Sequence, residues 1–187
     1  MSNLLKKHAK SFYWASFFLS KPVFNKCSSL YNFCRTLDDI VDDNKKLEIK
    51  KQNFLKFKKD FINKDNDNPI IKEMWLIIDK EKISKQVVMD LFDGVQTDLE
   101  EKVKINSKKE LLIYSYRVAG TVGLMMSKIL KVNNKEALKG AIDLGIAMQL
   151  TNIARDVCED KARNRQYVNH DFYSIKEIIN ESQIFYN

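Results

Sequence analysis

Chemistry first becomes possible in this sequence near the end of an apolar run, where four polar residues share helical spacing. Gln149, Asn152, Asp156 and Asp160 follow one another at steps of three, four and four, which stacks them on one face of an α-helix. Around them Ile142, Leu144, Ile146, Ala147, Met148, Leu150 and Ile153 surround the axis instead of forming one stripe. A helix apolar on nearly every side is expected to be buried. Carboxylates are almost never fully buried unless paired or bound to metal. The polar face is therefore expected to line an internal cavity that holds cations.

A second acidic cluster matches the first. Arg35, Asp38 and Asp42 again sit at steps of three and four, and with Asp39 and Asp43 they place four aspartates within six residues. The cluster falls at the expected C-terminal end of a helix, where the helix dipole is also negative. Two unit charges about 4 Å apart repel by roughly 1 kcal/mol in water and about 4 kcal/mol at an effective dielectric of 20. Something positive should offset this. Aspartate pairs on two helices facing one cavity suit Mg²⁺, which keeps waters and completes its shell with substrate phosphates. An EF-hand is excluded, because Asp43 stands where that loop needs glycine. An N-cap does not fit either, since caps precede a helix and these residues follow one. A solvated surface cluster is the remaining ordinary reading.

Helices must position both clusters. Pro22 suits the first turn of a helix running to about Asp43, with Cys27, Leu30, Cys34, Leu37 and Val41 inward. Residues 45–63 form a lysine-rich amphipathic helix, Lys64 to Pro69 a loop, and Ile70 to Asp79 a short helix. Ser84 caps a helix to about Lys102. Ser107 with Glu110 is a capping box that opens a helix to about Lys131. Asn133 and Asn134 make a turn before the long helix. No stretch alternates as a strand does, so the expected class is all-α in a single domain. The five glycines all fall inside these helices. They leave two readings open at Gly120 and Gly123: close helix packing, or room for a long flat ligand.

Composition sets outer limits. A chain of 187 residues with 44% hydrophobic and 30% charged content has the length and balance of one globular domain. The net charge of +7 attracts anions such as diphosphates or a membrane surface, or is simply a lysine-rich solvated surface. No aromatic-basic interleaving marks a nucleic-acid reader, so no nucleic-acid partner is expected. Cys27, Cys34 and Cys158 lack metal-ligand spacing and read as buried reduced thiols of a cytoplasmic protein. No apolar run reaches transmembrane length. The apolar stretch after Lys10 is short and lacks a clear cleavage site, so it is not read as a signal peptide.

The two acidic segments resemble the paired aspartate-rich motifs of the squalene/phytoene synthases, the head-to-head prenyl transferases. Tyr31-x-x-x-Arg35-x-x-Asp38-Asp39-x-x-Asp42 is similar to the first motif. Gln149-Leu-Thr-Asn152-x-x-Arg155-Asp156-x-x-Glu159-Asp160 is similar to the second. Segments at His8–Tyr13, Val95–Leu99 and Tyr114–Gly123 resemble further family segments in the same order. The stretch from Lys10 to Ser16 is closest to the bacterial carotenoid branch. The resemblance implies an isoprenoid-synthase-type helical bundle around a central cavity. It also implies Mg²⁺-dependent condensation of two prenyl diphosphates through a cyclopropyl diphosphate, as in phytoene formation from geranylgeranyl diphosphate.

The roles it implies fall on particular residues. Asp38, Asp42, Asn152 and Asp156 would hold metal, with Asp160 close by as a further catalytic carboxylate. His8, Lys10, Ser11, Arg35, Arg155 and Arg165 would contact diphosphate, and Tyr31, Tyr116 and Gln149 would line the pocket. Taken alone, Tyr31 and Tyr116 read equally well as core aromatics, His8 as a surface histidine, and Arg165 as a surface arginine paired with Asp160. Squalene or dehydrosqualene synthesis from farnesyl diphosphate is the alternative activity, with NADPH needed only for squalene; a non-catalytic member acting in binding or assembly is another. Peripheral membrane association for product release is a further expectation. Asn164 and Val168–Asn169 depart from the family pattern around Arg165. The chain also ends at Asn187, short of the family's usual end, so the helices that cover the pocket are expected to be missing.

Overall fold

A computed structural model describes residues 18–187, which are helical almost throughout. The helices are α1 (Lys21–Asp42), α2 (Leu47–Ile62), α3 (Pro69–Glu81), α4 (Lys85–Thr97), α5 (Lys108–Ser115), α6 (Thr121–Ile129), α7 (Lys135–Arg155), α8 (Val157–Ala162) and α9 (Phe172–Tyr186). A π-turn, Tyr116–Gly120, joins α5 to α6. The described residues fall into two compact units: residues 18–84 with 128–131, and residues 85–127 with 132–187.

In the first unit, α1 carries Pro22 in its first turn and buries Cys27, Leu30, Phe33, Leu37 and Val41. Each large side chain so buried contributes about 1.5–3 kcal/mol. Phe57 and Phe61 of α2 meet Phe33, each at 5.6 Å between ring centroids. Trp75 of α3 stacks on Phe61 at 5.0 Å and donates its indole N–H to the Phe61 carbonyl at 2.8 Å. Asn68 caps α3 by accepting from the Ile70 and Ile71 amides, with Pro69 at the first helical position. Glu81, at the far end of α3, is buried and paired with Lys26 at 2.7 Å and with Lys131.

In the second unit α7 packs against α9 and the π-turn. The Thr121 amide donates to the Tyr116 carbonyl, the i→i+5 bond that defines a π-turn. Two glycines let the backbones approach. A Cβ on Gly123 would collide with the Ala141 carbonyl, and one on Gly145 would lie 2.5 Å from the Ala119 carbonyl. The room beside Gly123 is thus filled by α7, which decides for packing over ligand space at that residue.

Several local expectations change. The helix from Lys85 stops at Thr97, not near Lys102. Val103–Lys104 and Arg165–Gln166 pair as two-residue parallel strands, β1 and β2, a ladder too short to leave an alternating pattern. Helix α7 is buried on one side only. Gly145, Ile146, Ala147, Leu150 and Ile153 are buried, whereas Leu144 is 49% and Met148 38% exposed. Cys27 is buried, but Cys34 is half-buried and Cys158 exposed, and all three are free thiols.

Candidate active site

The first acidic motif closes α1. Its unfavourable position at a helix C-terminus is relieved by side chains. Lys50 of α2 donates to the Val41 carbonyl at 2.9 Å, and Lys45 pairs with Asp43 at 2.6 Å. Arg35 pairs with Asp39 one turn on, at 2.7 Å. Asp39 and Asp43 are therefore offset by neighbouring cations. Asp38 and Asp42 are exposed on the same helix. Tyr31 is half-buried, and burial is the main cause that raises its hydroxyl above the ordinary range, opposed by Arg35.

The second motif spans a bend. Helix α7 ends at Arg155, Asp156 leaves helical geometry at φ −99° and ψ 14°, and α8 restarts at Val157. The i→i−4 bonds survive the bend: the Asp156 amide donates to the Asn152 carbonyl at 2.8 Å, and the Asp160 amide to the Asp156 carbonyl at 2.9 Å. Asn152, Asp156 and Asp160 thus stay in one backbone-bonded row. Arg155 grips Asp156 with two bonds of 2.6 Å, and these bonds hold the Asp156 carboxyl below its ordinary range. Asp160 behaves oppositely. Burial pushes its carboxyl up to about 6, Arg165 pulling it back and the Asp156 and Asp98 charges adding to the rise. Asp160 and Arg165 share a small hollow with Ile153, Val157 and Tyr167. Gln149 is half-buried on α7.

The residues beneath the second motif form a polar core that the spacing argument did not single out. The Asp98 carboxylate accepts from the Tyr167 hydroxyl at 2.5 Å and from the Tyr114 hydroxyl at 2.9 Å. The two rings stack at 4.8 Å, and both are buried. Burial and the Asp98 charge raise both hydroxyls above the tyrosine range. A carboxylate next to buried Val95 and Leu99 was the available signal, since such a group needs partners. Tyr116 opens the π-turn, and its hydroxyl reaches Asp90 at 3.4 Å. His8, Lys10 and Ser11 lie outside the described residues.

Oxygen donors are therefore present in each unit: Asp38 and Asp42 in the first, Asn152, Asp156 and Asp160 in the second. Among the described residues no three His, Cys, Asp or Glu side chains converge into a complete cage. Carboxylate and amide oxygens are the hard donors that Mg²⁺ takes, and guanidinium groups suit a phosphate.

Fold and side chains together define a class: an all-α protein that carries an acidic, arginine-flanked cluster at a helix end in each of its two units. The sequence profile of the squalene/phytoene synthase family matches residues 5–184, and the chain belongs to that family. It is 31% identical over 173 residues to the phytoene synthase of Rhodobacter capsulatus, covering 90% of this chain and 51% of that one. It is 30% identical over 172 residues to the 15-cis-phytoene synthase of Pantoea ananas, covering 86% and 55%. A solved dehydrosqualene synthase in complex with ligand superposes with a TM-score of 0.77 at 27% identity, over 98% of this chain and 72% of that chain. The squalene synthase of Alicyclobacillus acidocaldarius shares the fold at a TM-score of 0.68 and 19% identity, over 87% of this chain and 62% of that chain. The expected all-α, isoprenoid-synthase-type class stands. The chain spans about half the length of the curated relatives it matches.

Proposed function

We propose that this chain carries the diphosphate-handling part of a head-to-head prenyl transferase that joins two geranylgeranyl diphosphates into phytoene. The observation that carries this reading is the Asn152–Asp156–Asp160 row flanked by Arg155 and Arg165, in a chain whose named relatives are phytoene synthases. Asp38 and Asp42 in one unit, and Asn152 and Asp156 in the other, would hold Mg²⁺. The ion supplies Lewis acidity that stabilises a departing diphosphate.

The chain's own groups do the remaining work. Arg155 keeps Asp156 ionised and, being 67% exposed at its side chain, is free to swing from carboxylate to phosphate. Asp160, raised to about 6, is charged at neutral pH at a cost that positive charge arriving beside it would relieve. Arg35 and Arg165 contribute further guanidinium groups to the diphosphates, with His8, Lys10 and Ser11 at the N-terminal segment. Tyr31, Tyr116 and Gln149 bound the space for the prenyl chains. Departure of diphosphate leaves an allylic cation, which must be shielded from water. It alkylates the double bond of the second substrate, and loss of a proton from the adduct closes the ring of the cyclopropyl diphosphate.

The likeness to a dehydrosqualene synthase structure favours a second reading, condensation of farnesyl diphosphate to dehydrosqualene or, with NADPH, squalene. The whole would act in the cytoplasm, peripheral to a membrane that accepts the product. Incubation with geranylgeranyl or farnesyl diphosphate and Mg²⁺, with and without NADPH, followed by extraction and identification of the hydrocarbon, tests both readings. Loss of product in Asp38→Asn and Asp156→Asn, with unchanged helix content, is the expected companion result. No hydrocarbon under any of these conditions would overturn the proposal.

A further inference from the structure

Arg165 reaches its place on a very short strand. Asn164 turns the chain out of α8 in the left-handed conformation at φ 59°, which asparagine tolerates better than most residues, and β2 follows. Two backbone bonds tie β2 to β1: the Val103 amide donates to the Asn164 carbonyl at 3.1 Å, and the Ile105 amide to the Gln166 carbonyl at 3.0 Å. A two-stranded pairing is marginal by itself even at full length, so this ladder alone holds Arg165 loosely. Tyr167 follows the strand at once. Residues two apart along a strand share a face, and Arg165 and Tyr167 do line one hollow, together with Asp160. Whatever fixes the Tyr167 ring therefore also sets the side from which Arg165 projects. The ring is held at its far end, where the hydroxyl donates to Asp98 at 2.5 Å. Asp98 lies just past the end of α4, its own amide bonded to the Val95 carbonyl at 3.1 Å, and stands outside both acidic motifs.

We propose that Asp98 is a positioning residue for the second motif: through the Tyr167 hydroxyl it sets the Arg165 guanidinium in place before a diphosphate binds. The inference rests on the proposed function, because it takes the ligand to be a diphosphate carried with Mg²⁺. A guanidinium that holds phosphate through two parallel bonds depends on its orientation. A group already set in that orientation loses less freedom when the ligand arrives. The Tyr114 hydroxyl supplies an internal comparison. It donates to the same carboxylate at 2.9 Å and is buried like Tyr167, but it stands on α5, which carries no part of either acidic motif. A role confined to packing makes the two hydroxyls equivalent. A positioning role makes only the Tyr167 hydroxyl matter to phosphate.

The test reads binding and not turnover: calorimetric titration of the full chain with inorganic pyrophosphate in excess Mg²⁺, with helix content followed for every variant. Arg165→Gln sets the ceiling and should weaken binding about tenfold or more, the loss of one charged hydrogen bond. Tyr167→Phe should weaken it about fivefold, the equivalent of one ordinary hydrogen bond. Tyr114→Phe should leave it within about twofold of wild type. Tyr167→Phe combined with Arg165→Gln should bind no more weakly than Arg165→Gln alone, because Tyr167 acts through that arginine. Asp98→Ala removes a negative charge, which by Coulomb attraction alone would favour a polyanion; it should nevertheless weaken binding. If Asp98→Ala does not fold, the tyrosine variants and the double variant decide. The inference is overturned by equal losses from Tyr114→Phe and Tyr167→Phe, or by tighter binding in a folded Asp98→Ala. It is also overturned by a double variant whose loss is the product of the two single losses. A wild-type chain that binds no pyrophosphate would instead overturn the proposed function, and this inference with it.

Discussion

Replacing Tyr167 by Phe removes one hydroxyl from the polar core beneath the second motif and leaves its ring in place. That hydroxyl donates to Asp98 at 2.5 Å. A hydrogen bond to a charged acceptor contributes about 1.5–3 kcal/mol. The Tyr114 hydroxyl, at 3.2 and 2.9 Å from the two Asp98 oxygens, still serves the carboxylate in the variant. The expected cost is therefore near the lower half of that range, about 2 kcal/mol. For a protein of this size each kcal/mol moves the midpoint by about 2–4 °C, so Tm should fall by about 4–8 °C. Ring stacking at 4.8 Å survives in Phe and does not add to the loss. The assay is thermal unfolding at neutral pH, followed by helix signal, for Tyr167→Phe, Asp98→Asn and the double variant. The double should lose about 1 kcal/mol or more less than the sum of the singles, because the two share one bond. Strict additivity, or a shift below about 1 °C, would refute the assigned network. The alkaline limb gives a second check. Both tyrosines ionise above their unfolded value near 10, so their contribution is full below pH 10 and is lost as pH rises beyond it. Tyr167→Phe should flatten that loss.

Three further outcomes are expected. Gly123→Ala meets the Ala141 carbonyl, whereas nothing lies within 4 Å of a Cβ on Gly140; the first should cost about 3 kcal/mol or prevent folding, and the second should stabilise by up to about 1 kcal/mol, both read by urea unfolding. Lys131 and Lys26 hold the buried Glu81 carboxyl below its ordinary value of 4.5, so its contribution is present above that pH and lost as pH falls through the lowered folded value. Glu81→Gln should therefore reduce stability at neutral pH by about 2–3 kcal/mol and flatten the acid limb of a stability–pH profile. Asp160 is raised from 3.8 to about 6. Its charge opposes folding at neutral pH, and that opposition fades as pH falls from 6 towards 4. Asp160→Asn should raise Tm at pH 7 while lowering hydrocarbon formation, and a fall in both would assign it a structural role.

How much of this was legible in the sequence depends on how local the cause is. Helix starts are set by a side chain two or three residues away, and Asn68 with Pro69, Ser107 with Glu110, and Asn134 all act where their types suggest. The start of α9 carries the same kind of signal in Asp171, which accepts from the Ser174 amide. The acidic rows are local as well, because helical spacing alone stacks them. Their partners are not. That Arg35 takes Asp39, and that Lys50 reaches the Val41 carbonyl from the next helix, depends on rotamers and on the approach of α2. Asp98 needs Tyr167, which lies 69 residues away in the chain, and no window along the sequence can hold both. Leu144 and Met148 show the same limit from the other side. Apolar type marks what a residue gains from burial, but burial requires an element to supply the contact. A stripe of α7 therefore reads as core and stays exposed. The glycines are decided by a neighbour too: Gly123 and Gly140 are the same residue in similar helices, and only the Ala141 carbonyl, beside one and absent from the other, makes the first irreplaceable.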